Sequence, residues 1–373
     1  MVASVLPVYL LVQLGLSPLA FGALDGLSHG VTALSRWVSG VVADRWQRHK
    51  EVALLGYSVS AVCRLALIAV QGHLPGLAAV VATDRLGKGI RTAPRDALIS
   101  LSAPAASLGQ AFGIHRALDA TGAMLGPLAA FAVLTVVPTR FDVVFVTAFS
   151  AAIIGLGVLA LFVQNAPAST RLAQADVSSL RAVLPLFGHA GFRRVVAIAS
   201  LLALFTIGDG FVYLALRDRV VFPPHLFPLL FVGTSVSYLL LAVPAGQLSD
   251  RFGRLPVFLT GHFALVAIYG LLLQPLSSAG VIVVIVALLG GYYAATDGII
   301  AALSSGLLSP RTRGSGLALV ATATSLGRVV ASVLFGWCWT AFGRDVALMV
   351  FMAAMAGSLI TAGIVLARGG RLT

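Results

Sequence analysis

The sequence predicts an all-α integral membrane protein of twelve transmembrane helices, arranged as two pseudo-symmetric bundles of six. Three observations predict it. Of 373 residues, 59% are hydrophobic and only 10% charged, whereas a soluble domain carries roughly 25% charged residues. The mean hydropathy of +0.99 says the same. The length accommodates twelve spans of about 20 residues with short loops, and turn residues and charges divide the chain into that many apolar runs. Finally, one polar segment recurs at the equivalent place in each half. Strand alternation around a polar lumen is absent, and helices satisfy every backbone group of an apolar span internally.

The spans fall near 1–15, 19–43, 51–72, 75–96, 107–131, 142–163, 195–215, 226–247, 255–275, 279–304, 314–340 and 345–367. The first is short: Leu6 to Gly15 reads as the outer half of a helix, with Met1 where its middle belongs. A truncated first helix is the expectation, whether from a misplaced start codon or as a real truncation. A signal peptide is the competing reading, but no basic segment precedes the apolar run. Spans two to six complete an N-terminal bundle over 1–163. A polar stretch, 164–194, follows as a cytoplasmic linker, with a mildly amphipathic piece around Ser178 to Phe187 suited to the membrane interface. Spans seven to twelve make a C-terminal bundle over 195–373.

Basic residues orient the spans. Arg45, Arg48, Lys50, Arg95, Arg171, Arg181, Arg193, Arg194, Arg251, Arg254, Arg311, Arg313, Arg368 and Arg371 fall on one side, against Arg140, Arg217, Arg219 and Arg344 on the other. The positive-inside rule makes the richer side cytoplasmic and puts the C-terminus there, in a multi-pass protein of the cytoplasmic (inner) membrane. The net charge of +12 therefore reads as topology. Nucleic-acid binding needs a contiguous basic face, and these residues are dispersed between apolar runs. Cys63 and Cys338 lie far apart inside apolar runs, which suggests neither a disulfide nor a metal site.

The recurring segment is Ser39-Gly40-Val41-Val42-Ala43-Asp44-Arg45-Trp46-Gln47-Arg48 after span two and Ala245-Gly246-Gln247-Leu248-Ser249-Asp250-Arg251-Phe252-Gly253-Arg254 after span eight. Gly40, Asp44, Arg45 and Arg48 are in register with Gly246, Asp250, Arg251 and Arg254. The sequence here resembles the major facilitator superfamily, whose loop motif reads G-x-x-x-D-R-x-G-R-R. The second copy matches through Arg254, with Leu255 at the final basic position; the first has Gln47 in place of glycine. The resemblance covers essentially the whole chain apart from its short start. It implies the twelve-helix fold of that superfamily, two rocking six-helix halves, and transport of a small molecule. DRLGKGIRTAPRDAL in span four and GYYAATDG in span ten look like a bacterial subgroup of poorly defined substrate. Carboxylate and guanidinium groups of the loop copies suit a cytoplasmic latch, with Gly40 and Gly246 allowing close helix approach; the plainer reading is positive-inside anchoring.

Charges inside spans mark the candidate sites, because each costs roughly 2.5–3.5 kcal/mol at the bilayer centre on insertion scales. In span four, Asp84, Lys88, Arg91 and Arg95 fall at i, i+4, i+7 and i+11, one helical face, with Arg85 and Asp96 beside them. That face is expected to line a pathway or a buried network. Arg85-x-x-Lys88-Gly89 resembles the superfamily's R-x-x-Q-G motif, which implies proton coupling at Arg85, with Lys88 as an unusual second cation. Span five carries His115, Arg116 and Asp119, the last at a depth that allows a pair with Lys88. Its Gly122-x-x-x-Gly126-Pro127 partially resembles the antiporter motif of drug–proton exporters; helix packing alone also explains it.

Span two repeats the same spacing with Asp25, His29, Thr32 and Arg36. His29 reads as a pH-responsive group or as a satisfied hydrogen-bonding residue. Arg64 in span three has no partner legible in the sequence. In the C-terminal half, Asp209 lies in span seven and Asp297 in span ten after Tyr292 and Tyr293. The resemblance implies that spans one, four, seven and ten line the central cavity. Both aspartates would then face it, able to exchange protons, with Arg328 of span eleven as a neutralising cation. Trp337, Trp339, Tyr292 and Tyr293 are candidates for substrate contact or for packing.

The function expected is secondary transport by alternating access, with proton-coupled export (antiport, efflux) of a small amphipathic or anionic molecule. A transport-inactive sensor or scaffold of the same fold is the alternative. Partners are therefore substrate, protons and the lipid bilayer, with a monomer expected and no cofactor or metal. Enzymatic chemistry lacks a clear motif: no H-E-x-x-H occurs, no G-x-S-x-G or Ser–His arrangement stands out, and no Walker A sequence points to ATP-driven transport.

Overall fold

The computed structural model describes residues 1–46, 48–70, 72–102, 108–165, 190–220, 223–275, 279–308 and 313–369. Side chains are described throughout these except at 36–46, 93, 100, 101, 108, 109, 112, 113, 116, 279, 313–315 and 366–369. The described residues form helices throughout, with no strand among them.

In chain order, α1 is Val2–Val8, extended by a π-helical turn at Tyr9–Gln13, and α2 is Pro18–Trp46. Then come α3 His49–Ala69, α4 Leu74–Leu101, α5 Leu108–Val136 and α6 Phe141–Phe162. The remainder is α7 Ala190–Ala203, α8 Asp209–Arg219, α9 Phe227–Phe252, α10 Arg254–Leu273, α11 Ala279–Gly306, α12 Arg313–Phe342 and α13 Arg344–Gly369. Pro75 opens α4 where its missing N–H is harmless, and the His73 imidazole caps the turn by accepting from Gly76 N–H at 3.2 Å.

Among the described residues, the twelve expected spans are occupied by thirteen α-helices, because the seventh, 195–215, is broken. The chain leaves helix after Ala203 and re-enters at Asp209, with Gly208 extended at φ −71°, ψ 157°. Thr206, Ile207 and Gly208 are all weak helix formers. The break also has a distant partner. The fully buried Tyr269 hydroxyl of α10 donates to Phe205 O at 2.9 Å and accepts from Ile207 N–H at 3.1 Å. Two backbone groups that the break frees are thereby satisfied, as an apolar interior requires.

Eight helices among the described residues are long and apolar enough to cross a bilayer: α3, α5, α6 and α9 to α13. The remaining positions are the short first helix, the polar-striped α2, the charged α4 and the broken α7–α8. Three of these four, α2, α4 and α7–α8, carry charged candidate residues, while Asp119 and Asp297 stand on the apolar α5 and α11.

The chain divides into two compact units. Unit 1 comprises Met1–Leu16, Leu27–Val177 and Pro224–Pro228; unit 2 comprises Ser17–Gly26, Ser178–Pro223 and Leu229–Thr373. The early turns of α2 therefore belong to unit 2. In unit 1, α3 and α4 approach so closely that a Cβ on Gly56 would lie 2.7 Å from Gly87 O, and one on Gly87 2.8 Å from Gly56 O. Small residues on both helices allow this contact, as in membrane helix pairs generally. Tyr9 anchors the π-turn, packing its ring against Phe141 and Phe145 at 5.6 and 5.0 Å between centroids.

In unit 2, Gly22 and Gly26 of α2 set that helix directly on α12: a Cβ on Gly22 would meet Ser332 O at 2.3 Å, and one on Gly336 would meet Pro18 O at 2.5 Å. Phe21, Phe211, Phe335 and Phe351 continue the contact as a run of edge-on rings 4.8–4.9 Å apart, a favoured aromatic geometry. At one end of the unit, Arg219 of α8 donates to Leu272 O, Leu273 O and Asp345, and Arg344 lies 3.6 Å from Asp218. With Arg140 paired to Asp142 at 2.7 Å in unit 1, three of the four basic residues expected outside are tied to carboxylates.

Candidate functional site

The break in the seventh position creates the polar centre of unit 2. Asp209 is the first residue of α8, where free backbone N–H groups and the helix dipole favour negative charge. The Tyr293 hydroxyl of α11 donates to Asp209 Oδ1 in a short hydrogen bond. A second carboxylate converges there. Asp25 of α2 accepts from the Ser332 hydroxyl of α12 at 2.6 Å, and its Oδ2 would lie 3.1 Å from a Cβ on Gly208. Arg328, one turn before Ser332, is within electrostatic reach of both Asp209 and Asp297, and its Nη2 lies 3.5 Å from the Tyr292 hydroxyl. Tyr292 is buried, stacked edge-on to His262 at 5.4 Å.

Three carboxylates, one guanidinium and three hydroxyls therefore gather around one helix end. Of the aspartates, Asp25 and Asp209 are half-buried and Asp297 is exposed. Such a group can hold a proton, or receive a cationic or hydroxyl-bearing ligand, by exchanging one carboxylate's partner for another. It is mechanically supported, since Gly22 and Gly26 fix Asp25 against α12 and Tyr269 fixes the break.

Span four behaves differently. Its charged face lines a cavity of about 860 Å³ inside unit 1, bounded by α1, α3, α4, α5 and α6. Asp84, Arg85, Lys88 and Arg91 all lie on the wall, and Arg64 of α3 joins them. Each is held in its own way. Arg64 donates to Ala148 O of α6 in a short hydrogen bond, which supplies the partner that the sequence did not reveal. The Arg91 guanidinium sits 4.2 Å above the Tyr57 ring, a cation–π placement. Arg85 Nε lies 3.9 Å from Asp84 Oδ2, and that nitrogen is buried without a hydrogen bond. Beyond the cavity, Arg95 is paired with its neighbour Asp96 at 2.8 Å.

Not every expected residue joins these two groups. The stripe on α2 is divided: Asp25 belongs to unit 2, while His29 and Thr32 belong to unit 1, where Thr32 makes an ordinary bond to Ser28 O at 2.7 Å. Asp119 of α5 is exposed and is not on the cavity wall, although Gly122 and Gly126 of the same helix are. Trp339 packs against Phe335 and Phe211, and Trp337 is exposed against Phe342.

Of the first loop motif, the side chains of Gly40, Asp44 and Arg45 lie outside the described residues, as do those of Arg36 and Arg116; Arg48 is exposed. In the second, Asp250 and Arg251 are exposed, Gly246 has open space beside it, and Arg254 donates to Ala302 O near the end of α11 at 2.7 Å. Ser332 and Tyr269 are the working residues that sequence reasoning missed. The small-residue spacing Gly22-x-x-x-Gly26 was the available signal for the helix contact that brings Ser332 to Asp25.

Comparison with known proteins agrees with this architecture. An uncharacterized MFS-type transporter of Methanocaldococcus jannaschii is 28% identical over 352 residues, covering 91% of this chain and 84% of that protein. An uncharacterized protein of Mycobacterium tuberculosis is 36% identical over a shorter stretch of 119 residues, 32% of this chain and 29% of its own length. Among solved structures, the nucleoside transporter NupG superposes with a TM-score of 0.77 at 16% identity, covering 99% of this chain and 94% of its own. A D-xylose–proton symporter does so with a TM-score of 0.69 at 16% identity, covering 96% and 91%. At such identities these structures speak for the fold. The family model described as Major Facilitator Superfamily matches residues 1–222 and again 210–370, so the chain belongs to the Major Facilitator Superfamily of membrane transporters, and not to an enzyme family.

Proposed function

We propose that this transporter moves a small organic solute across the cytoplasmic membrane by alternating access, coupled to protons through Asp25, Asp209 and Asp297, in the direction of export. One observation carries the coupling: the seventh helix position is broken at 204–208, and two carboxylates meet at the new helix end. Discontinuous helices are where membrane transporters bind solutes and coupling ions. A carboxylate there changes its charge on taking up a proton. Its tie to Tyr293 or Ser332 then changes strength, which gives the proton a structural consequence. Arg328 supplies the competing positive charge, and Arg85 in unit 1 is the second coupling residue by its motif. Asp119 has a lesser share, being exposed on α5.

Export rests on the partial antiporter motif of α5. The two loop motifs act as the cytoplasmic latch, with the C-terminus on that side and the chain working as a monomer. The DRLGKGIRTAPRDAL stretch marks the subgroup.

The test is proton flux in proteoliposomes carrying an imposed pH gradient, with candidate solutes added in turn. A transporter gives solute-dependent proton movement that Asp297→Asn and Arg85→Ala abolish while the protein remains folded by its thermal unfolding profile. Full coupling retained in both variants overturns the assignment. No solute-linked flux with any compound that binds the purified protein would make it a transport-inactive member of the family.

A further inference from the structure

Arg328 carries the charge to neutralise a carboxylate of unit 2, yet it is not paired with one. It is within electrostatic reach of Asp209 and Asp297. Among the described residues, however, no carboxylate oxygen comes within 4 Å of its guanidinium nitrogens. Its contact is with a hydroxyl instead: Nη2 lies 3.5 Å from the Tyr292 oxygen. The next residue on α11, Tyr293, gives its own hydroxyl to Asp209. Successive side chains of a helix point about 100° apart, so two neighbouring tyrosines serve two opposite charges separately.

Both rings are held in place. Phe258, His262, Tyr292 and Tyr293 form a run of rings with centroids 4.7, 5.4 and 5.0 Å apart, and the His262 imidazole is tied to Phe258 O at 2.9 Å. The helix that bears the tyrosines is clasped on two sides. A Cβ on Gly261 of α10 would stand 2.9 Å from the Ala295 Cβ, and one on Gly290 of α11 would stand 2.4 Å from the Ser237 Cβ of α9. Beside Arg328, a Cβ on Gly327 would stand 2.8 Å from that of Ala203, the last residue of α7, which fixes the cation near the break.

We propose that Tyr292 is a positioning residue of the proton site: by holding Arg328 it keeps the guanidinium out of an ion pair with Asp209, which stays free to take up a proton. The proposal rests on the proton-coupled reading given above. A guanidinium against a carboxylate favours the charged form and opposes protonation. A tyrosine hydroxyl donates to the carboxylate without bringing a charge of its own. The two hydroxyls therefore act in opposite senses, Tyr293 by supporting the ionised carboxylate and Tyr292 by withholding the cation that would lock it. The titratable and charged groups around Asp209 are Asp25 from α2, Tyr293 and Asp297 from α11, Arg328 from α12 and Tyr213 of α8 itself. From α10, His262 lies near Arg328 and Tyr269 near Tyr292. Among the groups around Asp209, only Arg328 is a cation, so its placement decides the balance.

The test is a pH titration of the full chain in nanodiscs, followed by the infrared absorption of protonated carboxyl groups. The Asp209 signal is identified by its loss in Asp209→Asn. Tyr292→Phe removes one oxygen and keeps the ring. The midpoint of the Asp209 signal is expected to move toward acid by about 1–3 pH units, the shift that an adjacent guanidinium brings to an aspartate. Tyr293→Phe, the loss of the same atom one residue on, is expected to move it toward alkaline pH. Adding Arg328→Gln to Tyr292→Phe reverses the acid shift. Arg328→Gln alone moves the midpoint less than Tyr292→Phe does, because the guanidinium is not paired in the wild type; this variant keeps both tyrosines and tests the same placement by a second route. Shifts of one sign in both tyrosine variants overturn the proposal, since loss of packing alone has no reason to act in opposite senses. So do an unmoved midpoint in Tyr292→Phe, an acid shift that survives Arg328→Gln, a larger shift from Arg328→Gln alone, and the absence of a titrating Asp209 signal in wild type. The titration needs neither solute nor flux. These shifts without solute-linked proton movement in proteoliposomes would strike the transport reading and leave the placement of Arg328 standing.

Discussion

The two polar regions of this molecule break the apolar rule in opposite ways. In unit 1 the helix stays whole, and the charges along its face are mostly positive. In unit 2 the helix is broken, the charges are mostly negative, and hydrogen bonds from Tyr293 and Ser332 close around them. The difference teaches what each can do. Carboxylates held by hydroxyl donors are suited to taking up and releasing a proton while their surroundings respond. A row of cations along one helical face is suited to meeting a negative charge brought to it.

The comparison is broken most directly by Asp209→Asn, the largest effect expected. The amide keeps the size and still accepts from Tyr293, but it no longer changes charge. Proton movement in response to solute should fall to the level of empty liposomes, while the thermal unfolding midpoint stays at the wild-type value. Proton movement at the wild-type level would remove Asp209 from the coupling group.

Next in size is Tyr269→Phe. Its hydroxyl serves Phe205 O and Ile207 N–H at once, and each buried group left without a partner costs about 1–3 kcal/mol. The expected outcome is a clear drop in the thermal unfolding midpoint in detergent. Unchanged stability would show that the break is held by something other than this tyrosine, and would remove the view of unit 2 as a closed, internally satisfied site.

How much of this was legible in the sequence depends on whether the signal is local. The face of α4 could be read because Asp84, Lys88 and Arg91 repeat with the period of a helix, and an unbroken helix delivers that period to one wall. The fold was legible for a related reason: apolar runs, charge asymmetry and a repeated loop each report on segments near in sequence. The break at 204–208 was not. Leu204-Phe205-Thr206-Ile207 is as apolar as any span, and what stabilises the break lies some sixty residues away in Tyr269. Ser332 was invisible for the same reason, since it meets Asp25 only through α2 packing on α12. Arg64 was visible but unexplained, because its partner is a backbone carbonyl, and every residue has one.

Glycines sharpen the contrast between a closed and an open region. A Cβ at Gly22 would lie 2.3 Å from Ser332 O, a backbone atom that cannot step aside. Gly22→Ala is therefore expected to cost about 1–3 kcal/mol through overpacking, and to weaken proton coupling by shifting Asp25 from Ser332. The matched change on an uncrowded helix face is Gly357→Ala of α13, the smallest effect expected. Nothing lies within 4 Å of the Cβ it would add, and alanine is a better helix former than glycine by about 0.8–1.0 kcal/mol in a helix interior. Unfolding of this variant should occur at the wild-type temperature or slightly above. A Gly22→Ala variant as stable as this one would mean that α2 is not held closely on α12, and the fixed place of Asp25 beside Ser332 would then need another cause.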